Sequence, residues 1–210
     1  MPSKPSEATV RPGRTRRSPN ERRAEIAEAA RRVAISEGPA AVTLRAVAAE
    51  AGVAPALVAH YTPSMDAVVA EAFTAIVADE MRDIEGIVAG FDDPVARMHL
   101  LLATLLDGSR DDVTLVWVQA WGLARNEALA DQVRAQMDAW IAFLEAEVRR
   151  GVACGAFSLD DPGAVARQML GMIDGLNAHA LVRWGASAER RALMGTAVEA
   201  MLGLDRGVLG

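Results

Sequence analysis

Cysteine is nearly absent from the chain, with Cys154 alone among 210 residues. No internal disulfide is possible and no cysteine-based metal site can form, so a reducing cytoplasm is the expected setting. Aromatic residues make up only 4%, with a single tyrosine. Of the 22 basic residues, all but Lys4 are arginine, a bias that points to a GC-rich genome rather than to a functional choice. No apolar run approaches the roughly 18 residues that a membrane span needs. The arginines near the start precede no hydrophobic segment, so the start does not read as a signal peptide. Runs of β-branched residues with period 2 are missing too, which argues against sheets. There is no H-E-x-x-H, no G-x-S-x-G and no phosphate-cradling glycine loop. His60, His99 and His179 fall on three separate predicted helices. No catalytic, metal or cofactor site is expected on these grounds. An all-helical enzyme would have to hide its polar cluster among residues distant in sequence.

Hydrophobic residues, by contrast, make up 51%, enough for a sizeable core. Alanine, leucine, arginine, glutamate and methionine dominate, and all favour helix. The predicted fold class is all-α, with about nine helices. Charge is unevenly spread. Residues 1–62 hold ten Lys+Arg and six Asp+Glu, whereas residues 63–210 hold twelve and 22, within an overall net charge of −6. A basic end on an acidic body suits a small DNA-contacting module joined to a larger body that stays off DNA. Chance drift of surface charge is the plainer explanation.

Three segments follow. Residues 1–19 carry Pro2, Pro5, Pro12, Gly13 and Pro19 together with Arg11, Arg14, Arg16 and Arg17. They read as a disordered basic arm, suited to phosphates or a minor groove or else to solubility alone. Residues 20–64 are expected to form a compact unit of three helices. Residues 65–210 are expected to form a larger helical body. Its helices are predicted near 65–88, 94–107, 113–123, 127–152, 162–184 and 188–204, punctuated by Gly90, Asp93-Pro94, Gly108, Asp161-Pro162 and Gly185.

Residues 43–63 read T-L-R-A-V-A-A-E-A-G-V-A-P-A-L-V-A-H-Y-T-P. Thr43 can cap a helix by accepting from free backbone N–H groups. Ala48 is small where two helices would cross. Gly52 sits where the turn calls for positive φ, which is cheap only for glycine. Val47, Val53 and Val58 are apolar at spacings that share one face, and Tyr61 closes that face. Together these positions spell a helix-turn-helix, whose second helix enters the major groove of DNA. A plain helical hairpin within a bundle is the alternative.

One helix, then a helix-turn-helix, then a long helix leading into a helical body is an order that resembles the TetR family of transcriptional regulators. The segment A-G-V-A-P-A-L-V-A-H-Y-T-P-S-M-D-A-V is similar to that family's signature, A-G-V-S-x-G-x-x-Y-x-H-F-x-S-K-x-x-L. Ala59, Thr62 and Met65 stand where the family usually has tyrosine, phenylalanine and lysine. The body segments W-V-Q-A-W-G-L-A-R-N, L-E-A-E-V-R-R-G-V-A-C-G-A-F and M-I-D-G-L resemble a BetI-like ligand-binding domain. The resemblance implies a repressor that binds double-stranded operator DNA and is released by a small-molecule effector. It also implies a homodimer joined through the last two long helices.

The expected DNA contacts are Arg14, Arg16 and Arg17 in the arm, Thr43 and Arg45 in the first helix of the motif, and Pro55, Ala56, Leu57, His60 and Tyr61 in the second. That second helix lacks Arg, Asn and Gln, the strong base readers. His60 alone can donate to a base edge, so affinity is expected to come mainly from phosphates and specificity to be largely indirect. For Tyr61 and Arg45, core packing and a solvated charge are the plainer roles. The resemblance also implies an effector cavity, for which His99, Trp117, Trp121, Asp174 and Asn177 are the chief candidates. Gln119, Trp140 and Trp184 are among the further candidate linings. Asp174 lies in an apolar helix, and a buried carboxylate needs a partner. It could hold a cation with Trp117 or Trp121 stacked on it, pair with Arg167 or Arg183, or serve a dimer interface.

Overall fold

The computed structural model describes residues 18–123 and 125–209. Among them nine α-helices and one 3₁₀ turn occur, and no strand. Helix α1 (Pro19–Glu37) starts at a capping box. The Glu21 amide donates to Ser18 Oγ at 3.2 Å, and the Ser18 amide donates to Glu21 Oε2 at 2.7 Å. A 3₁₀ turn (Pro39–Ala41), not foreseen from the sequence, then leads to α2 (Leu44–Glu50) and α3 (Pro55–Tyr61). Thr43 Oγ1 accepts from the Ala46 amide at 3.2 Å and so caps α2. Between α2 and α3, Gly52 adopts φ 65°, and the Val53 amide donates to Ala48 O at 2.9 Å. Val47, Ala48 and Val58 are buried, and Tyr61 packs half-buried against the same core.

Three residues separate α3 from helix α4 (Met65–Ala89), the last of them, Ser64, being its cap. Its buried face recurs at helical spacing through Val69, Phe73, Ile76, Val77, Glu80 and Ile84. The body continues as α5 (Pro94–Leu106), α6 (Asp111–Gly122), α7 (Glu127–Ala153), α8 (Pro162–Leu181) and α9 (Ser187–Leu202). Asp93, Asn126 and Asp161 cap α5, α7 and α8 through their side chains. Helix α1 packs on α2 and α4, α2 packs on α3, and α7 is flanked by α4 and α8.

Two ends differ from expectation. The helix predicted to reach Trp184 stops at Leu181, because Arg183 takes a left-handed φ of 59° that reverses the chain. The last helix stops at Leu202 rather than Leu204. Gly203 there adopts φ 70° and lies so close to Ser158 O that a Cβ would stand 2.8 Å from it.

One buried ion pair ties the body together. Arg97 on α5 donates through Nε and Nη2 to the Glu147 carboxylate on α7 at 2.6 and 2.7 Å. Its Nη1 donates to Val88 O and Phe91 O at 2.6 and 2.9 Å, which ties α5 to the last turn of α4 and the residues just after it. No described helix is long and apolar enough to cross a membrane.

Candidate functional site

The candidate DNA-reading residues sit on α2 and α3. Thr43 and Arg45 are exposed at the start of α2. Pro55, Ala56, Ala59 and His60 are exposed on α3, while Leu57 is half-buried and Val58 fully buried. The His60 ring meets the Tyr61 ring edge-on, with centroids 5.0 Å apart. Tyr61 also lies under the guanidinium of Arg23, 5.9 Å from the ring centroid. Tyr61 therefore divides its surface between the core and a cation on α1. Arg14, Arg16 and Arg17 lie outside the described residues.

The candidate effector site is a cavity of ≈ 40 Å³ between α4, α5, α6, α7 and α8. Trp117, Trp121, Asp174 and Asn177 all line it, joined by Glu80, Leu105, Thr114, Met137, Trp140, Leu170 and Ile173. Residues far apart in sequence thus meet here. His99 is not among them. It is exposed on α5, with Nδ1 3.3 Å from Leu209 O near the far end of α9. Gln119 and Trp184 are also outside the lining. Trp184 is 65% exposed beyond α8.

Aromatic walls and two carboxylates define the chemistry. Trp117 and Trp121, one turn apart on α6, have ring centroids 6.2 Å apart and planes tilted by 40°. Phe73 meets Trp117 edge-on from α4. Trp117 Nε1 donates to Glu80 Oε2 at 3.4 Å. The indole N–H groups of Trp121 and Trp140 are buried and have no acceptor among the described residues. Burial pushes the Glu80 carboxyl up to about 7. The Trp117 N–H and Arg110 pull it down, and Asp112 and Asp174 push it further up. Burial alone raises Asp174 to about 6. Among the described residues Asp174 has no ion pair, so neither Arg167 nor Arg183 neutralises it. Asn177 Nδ2 donates to Leu105 O at 3.0 Å, which fixes its carbonyl end relative to α5.

Glu80 is the main residue that sequence reasoning missed. Its signal was present, because it stands in register with Phe73, Ile76, Val77 and Ile84 on the apolar stripe of α4. The argument that singled out Asp174 applies equally to it. No group of three or more His, Cys, Asp or Glu among the described residues could hold a metal ion.

The chain matches two family models. Residues 26–72 match the bacterial regulatory proteins of the tetR family, and residues 94–203 match the BetI-type transcriptional repressor C-terminal domain. No curated protein matches the chain. Among solved structures it is similar to a TetR transcription regulator from Haloarcula marismortui, with 26% identity over 88% of this chain and 98% of that one, at a TM-score of 0.68. A TetR-family regulator from Rhodococcus sp. shares 22% identity over 87% and 99% of the two chains, at 0.73. A transcriptional regulator from Saccharomonospora viridis in complex with choline shares 24% over 86% and 96%, at 0.75. The all-helical architecture, the helix-turn-helix near the start and the two family matches agree, and the chain belongs to the TetR family of transcriptional regulators.

Proposed function

We propose that the protein is a homodimeric repressor that binds operator DNA and is released when a small organic cation enters the cavity. The observation that carries this reading is Glu80. It lines the cavity from α4, the helix that continues directly from the DNA-reading pair. Residues 1–19 would serve as a basic arm, 20–64 as the DNA-binding unit and 65–210 as the effector-binding and dimerisation body. Thr43, Arg45, His60 and Tyr61 would touch DNA alongside Pro55, Ala56 and Leu57 and the arginines of the arm, with phosphates supplying most of the affinity. Val182, Trp184 and Leu193 are large, apolar and highly exposed at the end of α8 and on α9. Large apolar side chains left exposed favour a partner and support dimerisation through those helices.

The charge of the effector follows from the lining. Two carboxylates that make no ion pair among the described residues, with only Arg110 acting on Glu80 from further off and tryptophan walls around them, attract a cation both through charge and through the faces of the rings. The choline held by the Saccharomonospora viridis regulator is an ammonium of this kind, which makes choline the first probe to try.

Binding of the purified protein to the DNA flanking its own gene, measured across a salt series, tests the first half. The expected result is a specific complex weakened steeply by salt. Addition of choline or tetramethylammonium should then dissociate it. Weak binding that ignores sequence would favour a second reading, a ligand-binding protein that has lost its operator. That reading draws on the almost wholly apolar exposed face of α3.

A further inference from the structure

Gln119 sits where the cavity wall meets the DNA-reading unit. It lies on α6, two residues from Trp117 and two from Trp121. At about 100° per residue it points away from both. The two tryptophans face the cavity, whereas Gln119 reaches the junction between α1 and the 3₁₀ turn. Its Oε1 accepts from the Ala40 amide at 3.3 Å, and its Nε2 donates to Glu37 O at 3.4 Å. Helix ends leave such groups without partners of their own. Between them Gly38 adopts φ 87°, and a Cβ there would stand 2.2 Å from Gln119 Oε1. The contact therefore needs glycine at 38 and the side chain at 119 together. Val42 and Thr43 lead from this junction straight into α2.

Helix α6 is also the wall best able to move. It has 12 residues, against 25, 13, 27 and 20 for α4, α5, α7 and α8. Those four have side-chain caps at their starts, whereas Arg110 gives α6 none. The cavity holds ≈ 40 Å³, well below the roughly 300 Å³ at which small-molecule sites begin. A larger occupant would need a wall to give way, and α6 is the wall held by the fewest residues and by no side-chain cap.

We propose that Gln119 is the positioning residue through which the DNA-reading helices sense whether the cavity is filled. An outward shift of α6 draws Gln119 off Glu37 and Ala40. The junction that orients α2 then loses its clamp. This rests on the reading that a filled cavity releases DNA. Gln119 itself lines neither the cavity nor the exposed face of α3.

The test needs no effector, because Leu170→Trp on α8 fills the cavity with a side chain. Met137→Trp serves as a second filler should the first fail to fold. Affinity for the DNA flanking the gene is measured for the parent, the filled variant, Gln119→Ala and the double variant. The filler should weaken binding in the parent by about tenfold or more, within the usual range of coupling between sites. In the Gln119→Ala background it should weaken binding less than about threefold. Amide hydrogen exchange at residues 38–43 should quicken in both single variants. Equal losses in the two backgrounds, or unchanged exchange in Gln119→Ala, would overturn the proposal. A filler that costs the parent nothing would also overturn it, since no signal would leave the cavity. Failure of the parent to bind the DNA at all would instead strike at the regulatory reading itself.

Discussion

Trp117 Nε1 lies 3.4 Å from Glu80 Oε2 across the gap between α6 and α4, and among the described residues this indole is the one hydrogen-bond donor given to a carboxylate that burial lifts to about 7. The ordinary value is 4.5, so the folded protein holds this proton more tightly than the unfolded chain does. Glu80 thus favours folding most below pH 4.5, and that contribution is lost as pH rises through about 7. Asp174 acts in the same sense between 3.8 and about 6. The Glu80 share is on the order of 3 kcal/mol. Glu80→Gln should therefore raise stability at pH 8 and change it little at pH 4, as read from denaturant midpoints. Equal effects at both pH values would contradict the account.

Cation uptake should carry the same signature with the opposite slope. A cation pairs with ionised carboxylates, so its entry must displace protons from Glu80 and Asp174. Choline affinity, followed by titration calorimetry, should rise between about pH 5.5 and 7.5 and then level off. The heat measured in buffers of different ionisation enthalpy should reveal proton release. Asp174→Asn should weaken choline by about tenfold or more and flatten the lower part of the profile. A flat affinity profile in the parent would argue against a cation in this cavity.

The Arg97–Glu147 pair is a matter of stability rather than recognition. Both side chains are buried, and the guanidinium also donates to Val88 O in the last turn of α4 and to Phe91 O just beyond it. Removing one partner leaves a buried charge uncompensated, so Arg97→Ala should cost about 3–5 kcal/mol. Replacing both, Arg97→Met with Glu147→Leu, should recover much of that loss. Thermal denaturation of the two variants checks both statements.

Arg45 is exposed at the start of α2 and has no geometry that selects a base. Arg45→Ala should weaken binding to operator and to unrelated DNA alike, and lower the salt slope by about one. A loss confined to the operator would make Arg45 a base reader instead.

Much of this organisation was legible in the sequence because helices announce their ends locally. Ser18, Thr43, Ser64, Asp93, Asn126 and Asp161 each cap the helix that follows them, and a cap depends on only three or four adjacent residues. Gly52 and Ala48 were readable for the same reason. The end of α8 was not, since Arg183 adopts a conformation that favours glycine and nothing local marks it. The cavity was half legible. Asp174 stood out as a charge in an apolar helix, and Glu80 carried the same mark among the alanines and valines of α4. His99 and Gln119 went astray for another reason. Which face of α5 or α6 meets a neighbour depends on how the helices cross, and one polar residue in a helix does not encode that. Gln119 meets Glu37 and Ala40 across 82 and 79 residues of sequence, contacts fixed by the packing of α6 on α1 and the 3₁₀ turn.

The placement of the tryptophans has an optical consequence. Three of the four residues of this type line one cavity, while Trp184 stands in solvent at the end of α8. The more an indole is shielded, the further towards the blue it emits and the less soluble quenchers reach it, and here Trp140 is buried, Trp117 and Trp121 are half-buried and Trp184 is exposed. Intrinsic emission therefore divides into two populations that report on different events. The quenchable red component follows whatever covers the end of α8, and the protected blue component follows what enters between the helices. The natural protein thus carries its own pair of probes, and no label need be attached.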